Sequence, residues 1–114
     1  VIRISGPAAA HLLPKLGYTQ LPEPRRVIYH RFQDGAETLD QGLFVYFAAP
    51  QSFTGLPVVE LHLHGGKAVT ARMLRFLSSQ PGLRLAEPGE FTRQAFTSGK
   101  LDLAEVEGLA DLID

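Results

Sequence analysis

Val58-Val59-Glu60-Leu61-His62-Leu63-His64-Gly65-Gly66-Lys67 decides the fold, because the side-chain period changes in the middle of it. Up to His64 the pattern is that of a strand, with Val59, Leu61 and Leu63 on one face and Glu60, His62 and His64 on the other. Gly65-Gly66 ends the alternation. From Lys67 to Ser79 the apolar residues Ala68, Ala71, Leu74 and Phe76-Leu77 recur near helical spacing. A half-buried strand feeding directly into a helix predicts a sheet with helices packed on it.

Working outward in the N-terminal direction, Leu43 to Ala49 is a nearly continuous apolar run and reads as a buried strand. Before it, Arg25 to Gln33 alternates and ends at the turn signal Asp34-Gly35. Val1 to Ser5 reads as a further strand. Pro7 opens a short helix over Ala8 to Leu16, weakened by Pro14 and stopped by Gly17. On the C-terminal side, Leu83 to Ala86 reads as a short strand, and Pro88-Gly89 starts a helix through Phe96 that Ser98-Gly99 ends. The last helix carries its own start signal: Asp102 as N-cap, Glu105 at N3, and a Leu101/Val106 staple, with Leu103, Leu109 and Leu112 extending the apolar stripe. This order predicts an α+β domain with a mixed, mainly antiparallel sheet.

The chain has 114 residues, 45% hydrophobic and 20% charged, which fits one domain over residues 1–114 and lies far from the composition of disorder. No apolar run approaches the roughly 18 residues of a membrane helix, and the start lacks the regions of a signal peptide. A cytoplasmic location is expected. The absence of cysteine excludes disulfide scaffolds, Cys-ligated metals and thiol nucleophiles. Net charge −1 gives no global drive toward nucleic acid. Charge is uneven, however: residues 1–86 hold nine Lys/Arg against five Asp/Glu, and 87–114 hold two against seven. The chain begins within a β-branched run, without Met, and ends inside a helical pattern, so a piece of a longer protein is expected.

Glu60, His62 and His64 put one carboxylate and two imidazoles on one strand face. Three readings follow: the start of a metal site, a plain polar face, or a ligand-facing edge where Glu60 accepts from heterocycle N–H donors. Gly65-Gly66-Lys67 suits either a tight strand-to-helix turn or an anion at a helix start, although the P-loop pattern is absent. Ser52, Thr54 and Thr92 have no nucleophile-elbow context. Arg3 and Glu60 lie inside apolar strands, and Lys100 directly precedes the Leu101 staple. Each has an ordinary reading as a surface charge or ion pair, and together they can line one cleft.

An ordered set of motifs extends these readings. Ile2-Arg3-Ile4-Ser5-Gly6, Leu39-Asp40-Gln41-Gly42, Ser52-Phe53-Thr54-Gly55, Glu60-Leu61 through His64-Gly65-Gly66, and Pro81-Gly82-Leu83-Arg84 come first. Glu87-Pro88-Gly89-Glu90-Phe91-Thr92-Arg93, Ala95-Phe96, Gly99-Lys100-Leu101-Asp102-Leu103 and Ala110-Asp111-Leu112-Ile113 follow. Over nearly the whole chain these resemble the N-terminal domain of the MnmE/TrmE family of tRNA-modification GTPases. The resemblance implies a fold like the folate-binding domain of the aminomethyltransferases, a homodimer, and binding of a one-carbon tetrahydrofolate such as 5-formyl-tetrahydrofolate. It implies folate contacts at Arg3, Glu60 and Lys100, and no catalytic or metal-binding residue in this chain. It further implies a preceding N-terminal segment, a helical domain and a potassium-dependent GTPase domain that carries GTP and Mg. With the FAD-dependent partner MnmG, such a protein modifies carbon 5 of the wobble uridine of tRNA. Leu56-Pro57 departs from the family, which commonly has an acidic pair there.

The expected function is therefore folate binding and dimerisation, with catalysis in the parent GTPase rather than in this piece. Two alternatives come from other classes: a small metal-dependent hydrolase using Glu60, His62 and His64, and a dimerisation scaffold without ligand.

Overall fold

The computed structural model describes residues 1–98. Its strands are β1 (Ile2–Ser5), β2 (Ile28–Asp34), β3 (Glu37–Phe47) and β4 (Val58–Leu63). They form one sheet in the order β1-β4-β3-β2, antiparallel at every pairing. A 3₁₀ helix (Ala9–Leu16), α1 (Lys67–Ser78) and α2 (Glu90–Thr97) complete the described residues. This is the expected α+β class, with an antiparallel sheet.

One face of the sheet makes the core. Val59 and Leu61 of β4 are fully buried against Phe44 of β3, Phe32 of β2 and Ile2 and Ile4 of β1. Leu12, Leu13 and Leu16 of the 3₁₀ helix and Met73 and Leu77 of α1 close the layer from above. Tyr18, His30 and Phe44 meet edge to face, with the Tyr18 and Phe44 ring centres 4.8 Å apart. His30 is satisfied there by the Leu16 carbonyl oxygen at 3.0 Å, so a polar ring sits at the core margin without an orphaned nitrogen.

The structure corrects four expectations about the elements. The helix over Ala8 to Leu16 is 3₁₀ from Ala9: the His11 N–H donates to the Ala8 carbonyl and the Gly17 N–H to the Pro14 carbonyl. Pro14 has no N–H and would clash with an α-helical carbonyl four residues back, so the tighter winding wins. Gly17, at φ 91°, then ends it in the left-handed region. Strand β2 begins at Ile28 rather than Arg25, because Arg25 itself turns to φ 63°.

Strand β3 starts at Glu37, six residues before the apolar run at Leu43. The hairpin at Gly35-Ala36 pairs Asp34 with Glu37, and the polar stretch from there is carried into the sheet by that pairing. Gly42 permits the passage past β4: a Cβ there would lie 2.2 Å from the His62 carbonyl oxygen. Leu83 to Ala86 is not a strand. No described strand pairs with it, and it is held instead by the Leu83 N–H on the Gln80 carbonyl and by Arg84 on Glu90. The Asp102 capping box, its helix and Lys100 lie outside the described residues.

Candidate functional site

The opposite face of the sheet is polar at its centre. Arg3 of β1 lies directly across from Glu60 of β4, and the Arg3 Nε donates to Glu60 Oε2 at 3.0 Å. Alternation on β4 places His62 on the same face, where Nε2 meets Glu60 Oε1 at 3.2 Å. The two carboxylate oxygens are thus each held by one nitrogen. The Arg3 side chain is 55% exposed and that of Glu60 21%, so solvent screens the pair and its own contribution to stability is at most about 1 kcal/mol.

Next to this pair is a cleft of about 480 Å³. Phe47 at the end of β3, Phe53 of the following loop and Phe91 of α2 supply its apolar surface. Arg3, Arg25 and Glu60 supply its charges. Arg25 holds a left-handed conformation at φ 63°, fixed by its N–H on the Tyr46 carbonyl at 2.7 Å. A non-glycine residue there is strained, and strain of this kind persists where surrounding structure imposes it, as at binding sites.

The cleft's loop is built by its hydroxyls. Ser5 donates to Gln94 Oε1 of α2 at 2.7 Å, so its oxygen is left to accept from Thr54 Oγ1 at 2.7 Å, and Thr54 in turn accepts from the Leu56 N–H at 3.3 Å. Thr54 is fully buried. The relay ties β1, the Ser52-Phe53-Thr54-Gly55 loop and α2 together, and so positions Phe53 and Phe91 around the same space. The Gly6 N–H on the Pro57 carbonyl, 3.0 Å, extends the β1–β4 ladder into Leu56-Pro57.

The Gly65-Gly66 turn is held by a carboxylate from β3. Asp40 Oδ2 accepts from the N–H groups of His64 and Gly65, both at 2.9 Å. These amides precede Gly66, the N-cap of α1, so the carboxylate pins the strand-to-helix turn rather than capping the helix. Burial opposes the charge on Asp40, but the N–H groups of Gly65, Gln41 and His64 outweigh it and hold the carboxyl below its ordinary value.

Glu90 opens α2 without a side-chain cap, and Arg84 grips it with Nη1 and Nη2, one on each carboxylate oxygen. The Arg84 bond and the Glu87 N–H lower the Glu90 carboxyl to about 2. A larger cleft, about 650 Å³, runs along β1 between the 3₁₀ helix, the end of α1 and this Arg84 segment. It shares Arg3 and Phe91 but not Glu60. The smaller cleft is the stronger candidate because Glu60 stands there beside three aromatic rings, whereas the carboxylate of the larger cleft, Glu90, has both oxygens taken by Arg84.

Of the expected site residues, Arg3 and Glu60 come together and Lys100 lies outside the described residues. Among the described residues no three His, Asp or Glu side chains gather to hold a metal ion. No helix among them is long and apolar enough to cross a membrane. Sequence reading missed Phe47, Phe53, Phe91 and Arg25. Phe53 and Phe91 stood inside quoted motifs, whereas the turn at Arg25 left no composition signal.

Comparison with known proteins agrees with the motif pattern. The family model described as GTP-binding protein TrmE N-terminus matches residues 1–100. A tRNA modification GTPase MnmE from Parvibaculum lavamentivorans is 59% identical over 117 residues, covering 100% of this chain and 26% of the relative. Those of Paramagnetospirillum magneticum and Hyphomonas neptunium are 54% and 53% identical, again over 100% of this chain and 26% of each relative. The chain thus spans about a quarter of the length of these relatives, and it belongs to the TrmE N-terminal family of tRNA-modification GTPases.

Proposed function

We propose that residues 1–114 form a single domain that binds a one-carbon tetrahydrofolate of the 5-formyl type and mediates homodimerisation within a tRNA-modifying GTPase. The fold is then that of the aminomethyltransferase folate domains. The observation that carries this reading is Glu60, a half-buried acceptor fixed by Arg3 at 3.0 Å beside a cleft walled by Phe47, Phe53 and Phe91.

The chemistry of the cleft suits a folate. Glu60 accepts from the amino and ring N–H donors of the pterin, and a ligand without those donors leaves a partly buried carboxylate unmatched, which disfavours it. The aromatic side chains offer flat apolar surface to the ring system. Arg3 and Arg25 offer cations to the folate carboxylates. Lys100 joins them on the strength of the family motif Gly99-Lys100-Leu101. When bound, the folate supplies the one-carbon unit destined for carbon 5 of the wobble uridine. This domain's share is to hold and orient that donor, while GTP, Mg and potassium belong to the GTPase domain of the parent protein and MnmG is the redox partner. The setting of that reaction is the cytoplasm.

The test is calorimetric titration of the full chain with 5-formyl-tetrahydrofolate, beside Glu60→Ala and Lys100→Ala variants with confirmed folding. Saturable binding that both substitutions weaken by at least about tenfold, or 1.4 kcal/mol, supports the assignment. A folded dimer that binds no folate leaves a scaffold in its place.

A further inference from the structure

We infer that His62 is a positioning residue for the ligand carboxylate Glu60: it fixes the side chain so that the remaining acceptor sites fit two adjacent N–H donors. The inference rests on the folate reading and goes beyond it, to what makes Glu60 selective.

A carboxylate offers about four acceptor positions, two on each oxygen. In this structure Arg3 Nε occupies one on Oε2, at 3.0 Å, and His62 Nε2 occupies one on Oε1, at 3.2 Å. Among the described residues no other donor reaches the carboxylate, which leaves one position on each oxygen for a ligand. Two parallel acceptors match a pair of parallel N–H donors, as on the amino-pyrimidinone edge of a pterin, and do not match a lone hydroxyl or a carbonyl. The arrangement follows from the strand: Glu60 and His62 are two residues apart on β4 and share its outer face, and Arg3 approaches from the paired strand β1.

His62 is not among the residues that line the cleft. Its side chain is 41% exposed and stands opposite Leu43 of β3. It therefore acts on a ligand through Glu60 rather than by contact. An unrestrained glutamate loses rotamer freedom when a ligand orders it. With one oxygen tied to β1 and the other to its own strand, Glu60 is ordered before the ligand arrives, and that part of the binding cost falls away.

Calorimetric titration of the full chain with 5-formyl-tetrahydrofolate tests this with His62→Ala, His62→Gln, Glu60→Gln and the double variant Glu60→Gln/His62→Ala, each checked for folding by circular dichroism. The expected result is that His62→Ala weakens binding about three- to tenfold. His62→Gln, whose amide N–H also reaches Oε1, should recover most of the loss, and the double variant should bind no more weakly than Glu60→Gln alone. Wild-type affinity in His62→Ala overturns the inference and leaves folate binding standing. Losses that add in the double variant, or a His62→Gln variant as weak as His62→Ala, overturn it as well. A wild-type chain that binds no folate overturns the inference together with the reading it rests on.

Discussion

The two faces of β4 are made by the same six residues and do opposite work. Val59 and Leu61 face the helices and are fully buried, whereas Glu60 and His62 face away and keep 21% and 41% of their side-chain surface. The core face is stabilised by apolar area and shape. The ion pairs of the outer face contribute little to folding, because solvent screens them. A charge held in place at small benefit to the fold is free to serve recognition, so stability and binding should separate by residue parity from Val59 to His62, with Val58, on the outer face but 3% exposed, the exception.

The largest expected effect is on the core face. Leu61→Ala or Phe44→Ala should cost about 3–5 kcal/mol, read as a shift in the denaturant midpoint, a large fraction of the stability of an ordinary domain. Gly42→Ala should cost about 1–3 kcal/mol, because the new methyl meets the His62 backbone carbonyl rather than a side chain that can give way. Glu60→Ala should invert the pattern: a stability change of under about 1 kcal/mol, with folate affinity down at least about tenfold. A large loss of stability in Glu60→Ala would break the comparison, for it would make the outer face structural.

Asp40→Asn sharpens it at the boundary between the faces. This substitution should cost about 1 kcal/mol through the loosened His64-Gly65 turn. Because the Asp40 carboxyl is lowered in the folded chain, its contribution is present above the ordinary aspartate value of 3.8 and is lost as pH falls below it. The same sign holds for Glu90, whose window runs from 4.5 down to about 2. Acid unfolding monitored by circular dichroism should therefore begin below about pH 4, and Asp40→Asn should flatten its slope. The smallest effect belongs to Tyr29→Ser: 67% exposed on the outer face, it should move stability by no more than about 0.5 kcal/mol.

How much of this was legible in the sequence depends on the distance over which each feature is specified. The face assignment of Glu60 and His62 needs only the alternation of neighbours, and the α1 start needs only Gly65-Gly66. Arg3 and Glu60 are 57 residues apart, so their meeting is a product of strand pairing that no local period reveals. The same holds for Asp40 at the turn 24 and 25 residues on, and for Arg84 on Glu90 across Pro88-Gly89. The early half of β3 was hidden for a different reason. Glu37 to Gly42 is polar, and it is drawn into the sheet by the hairpin rather than by burial of its own side chains. Phe53 and Phe91 lie in loop and helix segments brought together by the Ser5–Thr54–Gln94 relay, which spans the chain.

The most direct test of the account is to map, residue by residue, the amide chemical-shift changes of the full chain on titration with 5-formyl-tetrahydrofolate. Saturating changes are expected at Arg3, Phe47, Phe53, Glu60 and Phe91, with the core residues Phe44 and Met73 little changed. Changes centred instead on Leu74, Leu83 and Lys15 would move the ligand to the larger cleft along β1 and contradict the assignment of Glu60 as its acceptor.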